Sequence, residues 1–375
     1  MRVLQVIPNF WPATRWGGPI LSTKLLCDGL AATPGVEVSV ETVDGIGPGL
    51  PGRVVPAPLP YPVHFSRRSA LHAVSPGLLA RLPAAMLGAD VVHLTGTYNF
   101  PTLPVLTLAR ALGVPVVWSP RGALLAAQEW EGARRPRLKR VFERAAAALG
   151  PRALVLHATA RAEAEANHAR FPRARHVVVP NAIPVPPGVP RREGGGRRLM
   201  ALGRLDRKKG FDLLLAAMCS LPPGVTLDLY GDGPERARLE RLAAPLGGRV
   251  RFHGHVEGAA KSAAFAAAEL FVMPSHSENF GLAAGEALAH GLPVLTTTGT
   301  PWGGIEWAGC GRVIDLSRDD LAEAIAEMLT RDLSRMGARG RAFVAERFSQ
   351  DRMVQGFLDL YADLASSRTR RAVWA

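Results

Sequence analysis

Short apolar runs alternate with longer amphipathic stretches along almost the whole chain, and the alternation stops only once. Val3–Ile7, Val36–Thr42, Val91–Leu94, Val114–Trp118, Leu154–His157 and Val177–Val179 read as strands, with helical patterns such as Ile20–Leu30 and Pro104–Leu112 between them. Apolar runs of about 4–8 residues suit strands buried on both faces. Strand and helix in strict alternation make a mostly parallel, doubly wound α/β sheet. From Pro180 to Arg198 the pattern breaks. Pro184, Pro186, Pro187, Pro190 and the triplet Gly194, Gly195, Gly196 suit neither a helix nor a central strand. The alternation then resumes, with Leu199–Leu202, Val225–Tyr230, Val250–Phe252, Leu270–Met273, Val294–Thr297 and Val313–Ile314 as strands. The expectation is two Rossmann-like domains, residues 1–182 and 198–350, joined by a linker over 183–197 and facing a central cleft. The tail is helical by pattern, and its last part, 351–375, is expected to pack back on the first domain. A chain of 375 residues has the length for two such domains.

Composition removes several classes. A hydrophobic content of 47% with 21% charged residues is globular rather than disordered. No apolar run approaches the ~20 residues needed to span a bilayer. The opening Met1–Pro8 reads as a first strand, not a signal peptide. Cys27, Cys219 and Cys310 are far apart and fit neither a disulfide framework nor a metal site, which points to a reducing, cytoplasmic setting. The net charge of +13 suits nucleic acid, an anionic membrane or a phosphorylated substrate. Nucleic acid is the weakest of these, because only 6% of the chain is aromatic and no helix-turn-helix pattern is present. Arg134, Arg135, Arg137, Lys139, Arg140, Arg144 and Arg152 crowd one segment that also carries Leu138, Val141, Phe142 and Leu149. That is a basic amphipathic helix, of the kind that docks on anionic lipid headgroups.

Ligands of open parallel sheets sit at the carboxyl ends of strands, so the residues there carry the functional argument. Arg204 and Lys209 share one strand-to-helix loop, and two cations there can flank a diphosphate. Gly231 and Gly233, in Tyr230-Gly231-Asp232-Gly233-Pro234, end another strand and allow close approach of backbone to a ligand. His255 and Val256 end a third, where a flat base has room against the backbone. Glu278 lies in the loop after Leu270–Met273, followed by Asn279, Phe280, Gly281 and Leu282, with Glu286 about two turns into the next helix. An offset of eight residues places the two carboxylates about 80° apart around a helix. They therefore read as separate acceptors for two parts of an extended ligand. In the first domain Gly17 and Gly18 open a helix whose N-terminus suits phosphate. His93 and Arg121 end two more strands. His93 reads either as a substrate-orienting group or as a satisfied packing residue. The loop around Thr97-Tyr98-Asn99-Phe100 is the candidate acceptor side.

Taken in order, these segments resemble the retaining family-four glycosyltransferases. The resemblance rests on Pro274-Ser275-x-x-Glu278-x-Phe280-Gly281-Leu282 with Glu286, on Gly203-Arg204-Leu205 followed by Lys209-Gly210, and on Gly231-Asp232-Gly233-Pro234, Gly17-Gly18 and Pro180-Asn181. Ser119-Pro120-Arg121-Gly122-Ala123-Leu124 and Thr300-Pro301-Trp302 look like a subgroup acting on bacterial envelope polysaccharide. The resemblance implies the GT-B fold and transfer of a hexosyl group from a UDP- or GDP-linked donor to a glycan or polyprenyl-linked acceptor. It implies that Arg204 and Lys209 neutralise the leaving diphosphate, and that Glu278 with the amides of Asn279, Phe280 and Gly281 holds the donor sugar. Glu286 would take the ribose, and Gly17 and Gly18 would close over the phosphates. The family works without a metal or other cofactor, and the chain has no Asp-x-Asp motif. Many relatives have His where Arg121 stands, which opens a charge-stabilising or acceptor-binding role for that arginine. Two other readings are a GT-B-like sugar-nucleotide epimerase, which would lack the glutamate loop, and a basic nucleic-acid-binding protein.

Overall fold

The computed structural model describes residues 1–47, 52–69, 74–125, 136–188 and 197–373. The chain forms two compact units, Met1–Ala182 with Gln350–Ala375, and Ile183–Ser349.

The first unit is built on seven parallel strands, β1 (Arg2–Val6), β2 (Glu37–Val43), β3 (Val63–Ser66), β4 (Val91–Thr95), β5 (Val116–Ser119), β6 (Leu154–Ala158) and β7 (Arg175–Val178), in the order β3-β2-β1-β4-β5-β6-β7. Parallel strands need helical crossovers, and α1 (Gly18–Ala31), α2 (Pro76–Leu87), α3 (Thr102–Leu112), α4 (Pro136–Leu149) and α5 (Arg161–Arg170) supply them. One layer of the core gathers Val3, Val40, Val91, Val117 and Val155 with Leu26 and Leu30 of α1. The other gathers Leu4, Val92, Leu94, Val116 and Trp118 with residues of α2 and α3. Alternate residues of each strand thus face opposite layers. A strand of this sheet, β3, escaped the sequence reading. It is an edge strand of four residues with only partial burial, reached through Pro56, Pro58, Pro60 and Pro62.

The second unit has six parallel strands, β8 (Arg198–Leu202), β9 (Thr226–Tyr230), β10 (Val250–Gly254), β11 (Leu270–Met273), β12 (Val294–Thr297) and β13 (Gly311–Ile314), in the order β10-β9-β8-β11-β12-β13. Its helices are α6 (Phe211–Ser220), α7 (Arg236–Ala243), α8 (Gly258–Ala267), α9 (Leu282–Ala289), α10 (Gly304–Trp307), α11 (Leu321–Met328) and α12 (Leu333–Arg347). The last helix, α13 (Gln350–Val373), belongs to the first unit, where Phe357 and Tyr361 are buried beside β1 and β4 residues.

The linker expectation needs correction at its start. Ile183 is 2% exposed in the second unit's core, its N–H donates to the Phe348 carbonyl at 2.8 Å, and Arg341 donates to the Pro186 carbonyl. Proline-rich sequence here packs as an extended segment instead of swinging free. Its remaining residues 189–196, with Pro190 and the glycine triplet, lie outside the described residues, as do Arg134 and Arg135 of the basic segment.

Candidate functional site

In the second unit the sheet changes direction between β8 and β11. From β8 the chain winds outward through β9 to β10, and from β11 it winds the other way. The loops leaving these two central strands diverge, which is where open α/β sheets hold ligands. Arg204 and Lys209 lie on the loop after β8. Glu278, Asn279, Phe280 and Gly281 lie on the loop after β11. Topology thus brings together what the sequence separates by about seventy positions.

Lys209 donates to Glu278 Oε1 from side chains that are only 16% and 9% exposed, and Ser275 Oγ donates to the same oxygen at 2.9 Å. The Glu278 N–H donates to Gly299 O at 2.9 Å, and Trp302 Nε1 donates to Phe280 O at 2.7 Å. Glu278 and the following backbone are therefore fixed from several directions. Gly281, at φ +73, turns the chain into α9 without any side-chain cap, and Leu282 begins the helix. Amides at such a start favour an anion or a hydroxyl acceptor. Arg204 is 65% exposed and donates to Asp206 Oδ2 at 2.6 Å. Lys208, between Arg204 and Lys209, has its ammonium pKa pushed down by burial, with Glu278 pulling the other way. The His276 N–H donates to Lys208 O at 2.8 Å and ties the two loops.

Glu286, on α9, takes a different partner. Lys261 of α8 donates to its Oε1 at 2.7 Å. Each glutamate therefore has its own lysine.

At Gly231 and Gly233 the protein's own packing calls for glycine. A Cβ at Gly231 would collide with the Gly203 carbonyl oxygen, and one at Gly233 would lie 2.7 Å from Leu205 N and 2.8 Å from Leu205 C. Leu205 N donates to Asp232 O, and Glu235 N to Leu205 O, both at 3.0 Å. The loop after β9 packs directly on the loop carrying Arg204, so the close approach is to protein backbone. His255 is exposed and pairs with Glu257 at 2.7 Å, and Val256 beside it is half-buried.

In the first unit, Gly17 (φ +97) caps α1 with open space where a Cβ would point, and Gly18 begins the helix. Tyr98, at φ +56, donates its hydroxyl to Glu143 of α4, with Lys139 Nζ 4.9 Å from its ring centroid. Asn99 is exposed and accepts from Thr102 Oγ1 at 3.3 Å. His93 is a correction to the acceptor-side list. It is wholly buried, with Nδ1 2.6 Å from Tyr361 OH and Nε2 2.7 Å from Ser119 Oγ. Both nitrogens are used inside the unit, which is the packing alternative. Arg121 stands at the carboxyl end of β5 at φ +58, a conformation that costs a residue with a Cβ on the order of 1–3 kcal/mol. Its Nη1 donates to Asn181 Oδ1 at 2.8 Å, and burial lowers its pKa against the opposing pull of Glu163.

Sequence reasoning missed Lys208 beside Glu278 and Glu163 beside Arg121, and it gave Ser275 and Trp302 only as parts of motifs, without their bonds to Glu278 and to Phe280 O. The Arg207-Lys208-Lys209 run was the available signal for Lys208. The others act through contacts no spacing rule encodes. Among the described residues no group of three or more His, Cys, Asp or Glu is placed to hold a metal ion.

Comparison with known proteins now decides the family. The family described as "Glycosyl transferase 4-like domain" matches residues 17–182, and "Glycosyl transferases group 1" matches 196–331. The chain belongs to the glycosyl transferases. This glycosyl transferase is 34% identical over 173 residues to the lipopolysaccharide core biosynthesis glycosyltransferase LpsE of Rhizobium meliloti, covering 44% of the chain and 49% of LpsE. It is 29% identical over 262 residues to the phosphatidyl-myo-inositol mannosyltransferase of Mycolicibacterium smegmatis, covering 68% and 65%. The chain spans about half the length of the curated relatives it matches. Among solved structures, Anabaena HepE in complex with UDP-glucose superposes with a TM-score of 0.72 at 19% identity, covering 98% of this chain and 100% of that one. At that identity the likeness is one of fold, GT-B.

Proposed function

We propose that this glycosyl transferase moves a hexosyl group, with retention at the anomeric carbon and without a metal, from a UDP- or GDP-linked donor to a hydroxyl of a glycan or polyprenyl-linked acceptor. The proposed setting is envelope polysaccharide synthesis, on the cytoplasmic side of a bacterial membrane. The observation that carries the reading is the Lys209–Glu278 pair at the switch point of the second sheet, flanked by Arg204 and Lys208. A nucleoside diphosphate is the ligand that uses cations and a carboxylate side by side. Its phosphates take Lys209 and Arg204, and its sugar hydroxyls donate to Glu278. Glu286 is assigned to the ribose hydroxyls; in the first unit, taken by itself, Gly17 and Gly18 are assigned to a phosphate and Arg121 to an anionic group.

The chemistry follows from charge. The bond from the anomeric carbon to the diphosphate oxygen breaks, and its electron pair leaves with the diphosphate. Arg204 and Lys209 stabilise that developing charge, a preorganised electrostatic effect of the kind that dominates many enzymatic rate enhancements. The acceptor hydroxyl attacks from the same face and passes its proton to the leaving phosphate. A double displacement would need a carboxylate free to attack the anomeric carbon, whereas Glu278 is paired with Lys209 and Glu286 with Lys261. The names of relatives that act in lipopolysaccharide core synthesis and on phosphatidylinositol support the envelope setting.

The test is a screen of UDP- and GDP-hexoses by hydrolysis and thermal shift, followed by the anomeric configuration of any product. Arg204→Ala and Lys209→Ala should each lower turnover at least a hundredfold with unchanged circular dichroism. Near-normal transfer in both variants, or an inverted product, refutes the assignment.

A further inference from the structure

Arg121 is held in place by more than its own backbone. Glu163 stands in the first turn of α5 and is 1% exposed. Its Oε1 accepts from Gly122 N at 2.6 Å, and its Oε2 accepts from Thr159 N at 2.7 Å and Thr159 Oγ1 at 2.8 Å. One carboxylate thus joins the loop after β5 to the loop after β6. Gly122 follows Arg121 directly and is itself at φ +80, so this bond pins the turn that gives Arg121 its left-handed backbone. On the other side, Asn181 follows β7, is 6% exposed, and accepts from Arg121 Nη1 at 2.8 Å. Arg121 Nε is buried and bonds to nothing among the described residues.

The choice of a carboxylate is informative. An ionised carboxylate is expensive to bury unless an opposite charge lies near it, and burial does raise the pKa of Glu163 while its hydrogen bonds and Arg121 oppose the rise. Tying the two loops takes an acceptor oxygen on each side, which a carboxylate has and a neutral amide, with one oxygen and a donor NH2, does not. The charge also places a field on the guanidinium. The neighbouring His93 and His157 are kept neutral by burial and supply no such field.

We propose that Glu163 and Asn181 are positioning residues for Arg121, holding its guanidinium, Nε innermost, so that its uncommitted Nη N–H donors are presented to an anionic oxygen of a phosphate or carboxylate. Where that oxygen belongs to the transfer reaction, the inference rests on the function proposed above.

The experiment has two arms. In the first, the Arg121 guanidinium resonance of the full chain is assigned by its loss in Arg121→Lys, and Nε–H exchange is measured with and without inorganic diphosphate. Glu163→Gln and Asn181→Ala should each speed exchange at least tenfold, and diphosphate should slow it in the wild type only. In the second, steady-state transfer is measured. Glu163→Gln should lower kcat about tenfold while donor KM changes less than twofold, with Glu163→Asp recovering part of the loss. In an Arg121→Ala background Glu163→Gln should have no further effect. Unchanged exchange in both variants, or a kcat loss that adds in full to that of Arg121→Ala, overturns the proposal. If the wild type transfers no sugar, the functional reading fails and the exchange arm still decides. If Glu163→Gln does not fold, Asn181→Ala carries both arms.

Discussion

Acid should unfold the first unit through two histidines that cannot take up a proton. His157 Nε2 lies 2.8 Å from the Val179 carbonyl, which only accepts, so Nε2 carries the hydrogen. His157 Nδ1 must then accept from Ser119 Oγ at 2.7 Å. With its proton committed, Ser119 accepts from His93 Nε2 at 2.7 Å, and His93 Nδ1 accepts from the Tyr361 hydroxyl at 2.6 Å. The chain of bonds runs one way, from Tyr361 through His93, Ser119 and His157 to Val179, and both imidazoles are neutral. A proton added to either ring makes the facing hydroxyl an acceptor and takes away the partner of that hydroxyl's hydrogen in a buried site. Burial is the first cause of the shift in both, with Arg121 adding to it; His157 is lowered to about 3 and His93 well below its ordinary value.

The sign and size follow from linkage. Below pH 6.5 the unfolded chain binds protons that the folded unit does not, so stability falls as pH falls through 6.5 and continues to fall to about 3. Between pH 7.5 and 5 a single histidine of this kind removes about 2 kcal/mol, from roughly 1.4 kcal/mol per pH unit once well below 6.5. His93 adds a loss of the same sign. Glu163, raised by burial, acts in the opposite direction until its unfolded carboxyl titrates. A difference between two proteins removes that contribution. Urea unfolding of the wild type and of His157→Gln is followed at pH 7.5 and 5, with near-ultraviolet dichroism as the readout for buried Trp118. The wild type should lose about 2 kcal/mol more than the variant. Parallel losses, or a folded His157 ring that titrates near 6.5 by NMR, would refute the bond chain.

Two further predictions concern packing and partners. Gly231→Ala places a methyl against the Gly203 carbonyl at a backbone φ of +128, and should destabilise the second unit by roughly 2–4 kcal/mol; thermal melting within a degree of wild type would show that the two loops are not in contact. On α4, Arg137, Arg140 and Arg144 are exposed beside Leu138 and Val141, each 59% exposed, and each arginine should contribute about 1 kcal/mol at an anionic surface. The wild type should float with phosphatidylglycerol vesicles at low salt and Arg137→Glu/Arg140→Glu should not, while absence of wild-type flotation removes the membrane as a partner.

Strand positions were legible because strands buried on both faces are mostly apolar: β11 is an unbroken apolar run, while in β1 and β4 the buried Gln5 and His93 interrupt it. The edge strand β3 has no such requirement, and Val63-His64-Phe65-Ser66 looks like the loop around it. Within the site, Arg204, Lys209 and Glu278 could be placed at strand ends. That Lys209 reaches Glu278 depends on β8 lying next to β11, a matter of sheet order that local pattern does not contain. His93 makes the same point. Its two readings were equal in sequence, and they are separated by Tyr361, 268 positions away on a helix from the other end of the chain.

Glycine illustrates what a motif means once its surroundings are known. In sequence, Gly17 suits a phosphate at a helix N-terminus, and Gly231 suits a close approach of backbone to a ligand. Both have positive φ, which by itself favours glycine. At Gly231 a Cβ is also excluded by the neighbouring loop, so that position is determined by the protein's own packing. At Gly17 a Cβ would meet nothing within 4 Å, and the first amides of α1 lie beside that open space. Of the two, only Gly17 leaves room on its own unit for a phosphate. The glycine-rich turn after β9 then acts indirectly, by setting the height of the loop on which Arg204 and Lys209 stand. A substitution there should be felt first as stability and only through that loop as catalysis, whereas a charge change at Lys209 alters the electrostatics of the site itself.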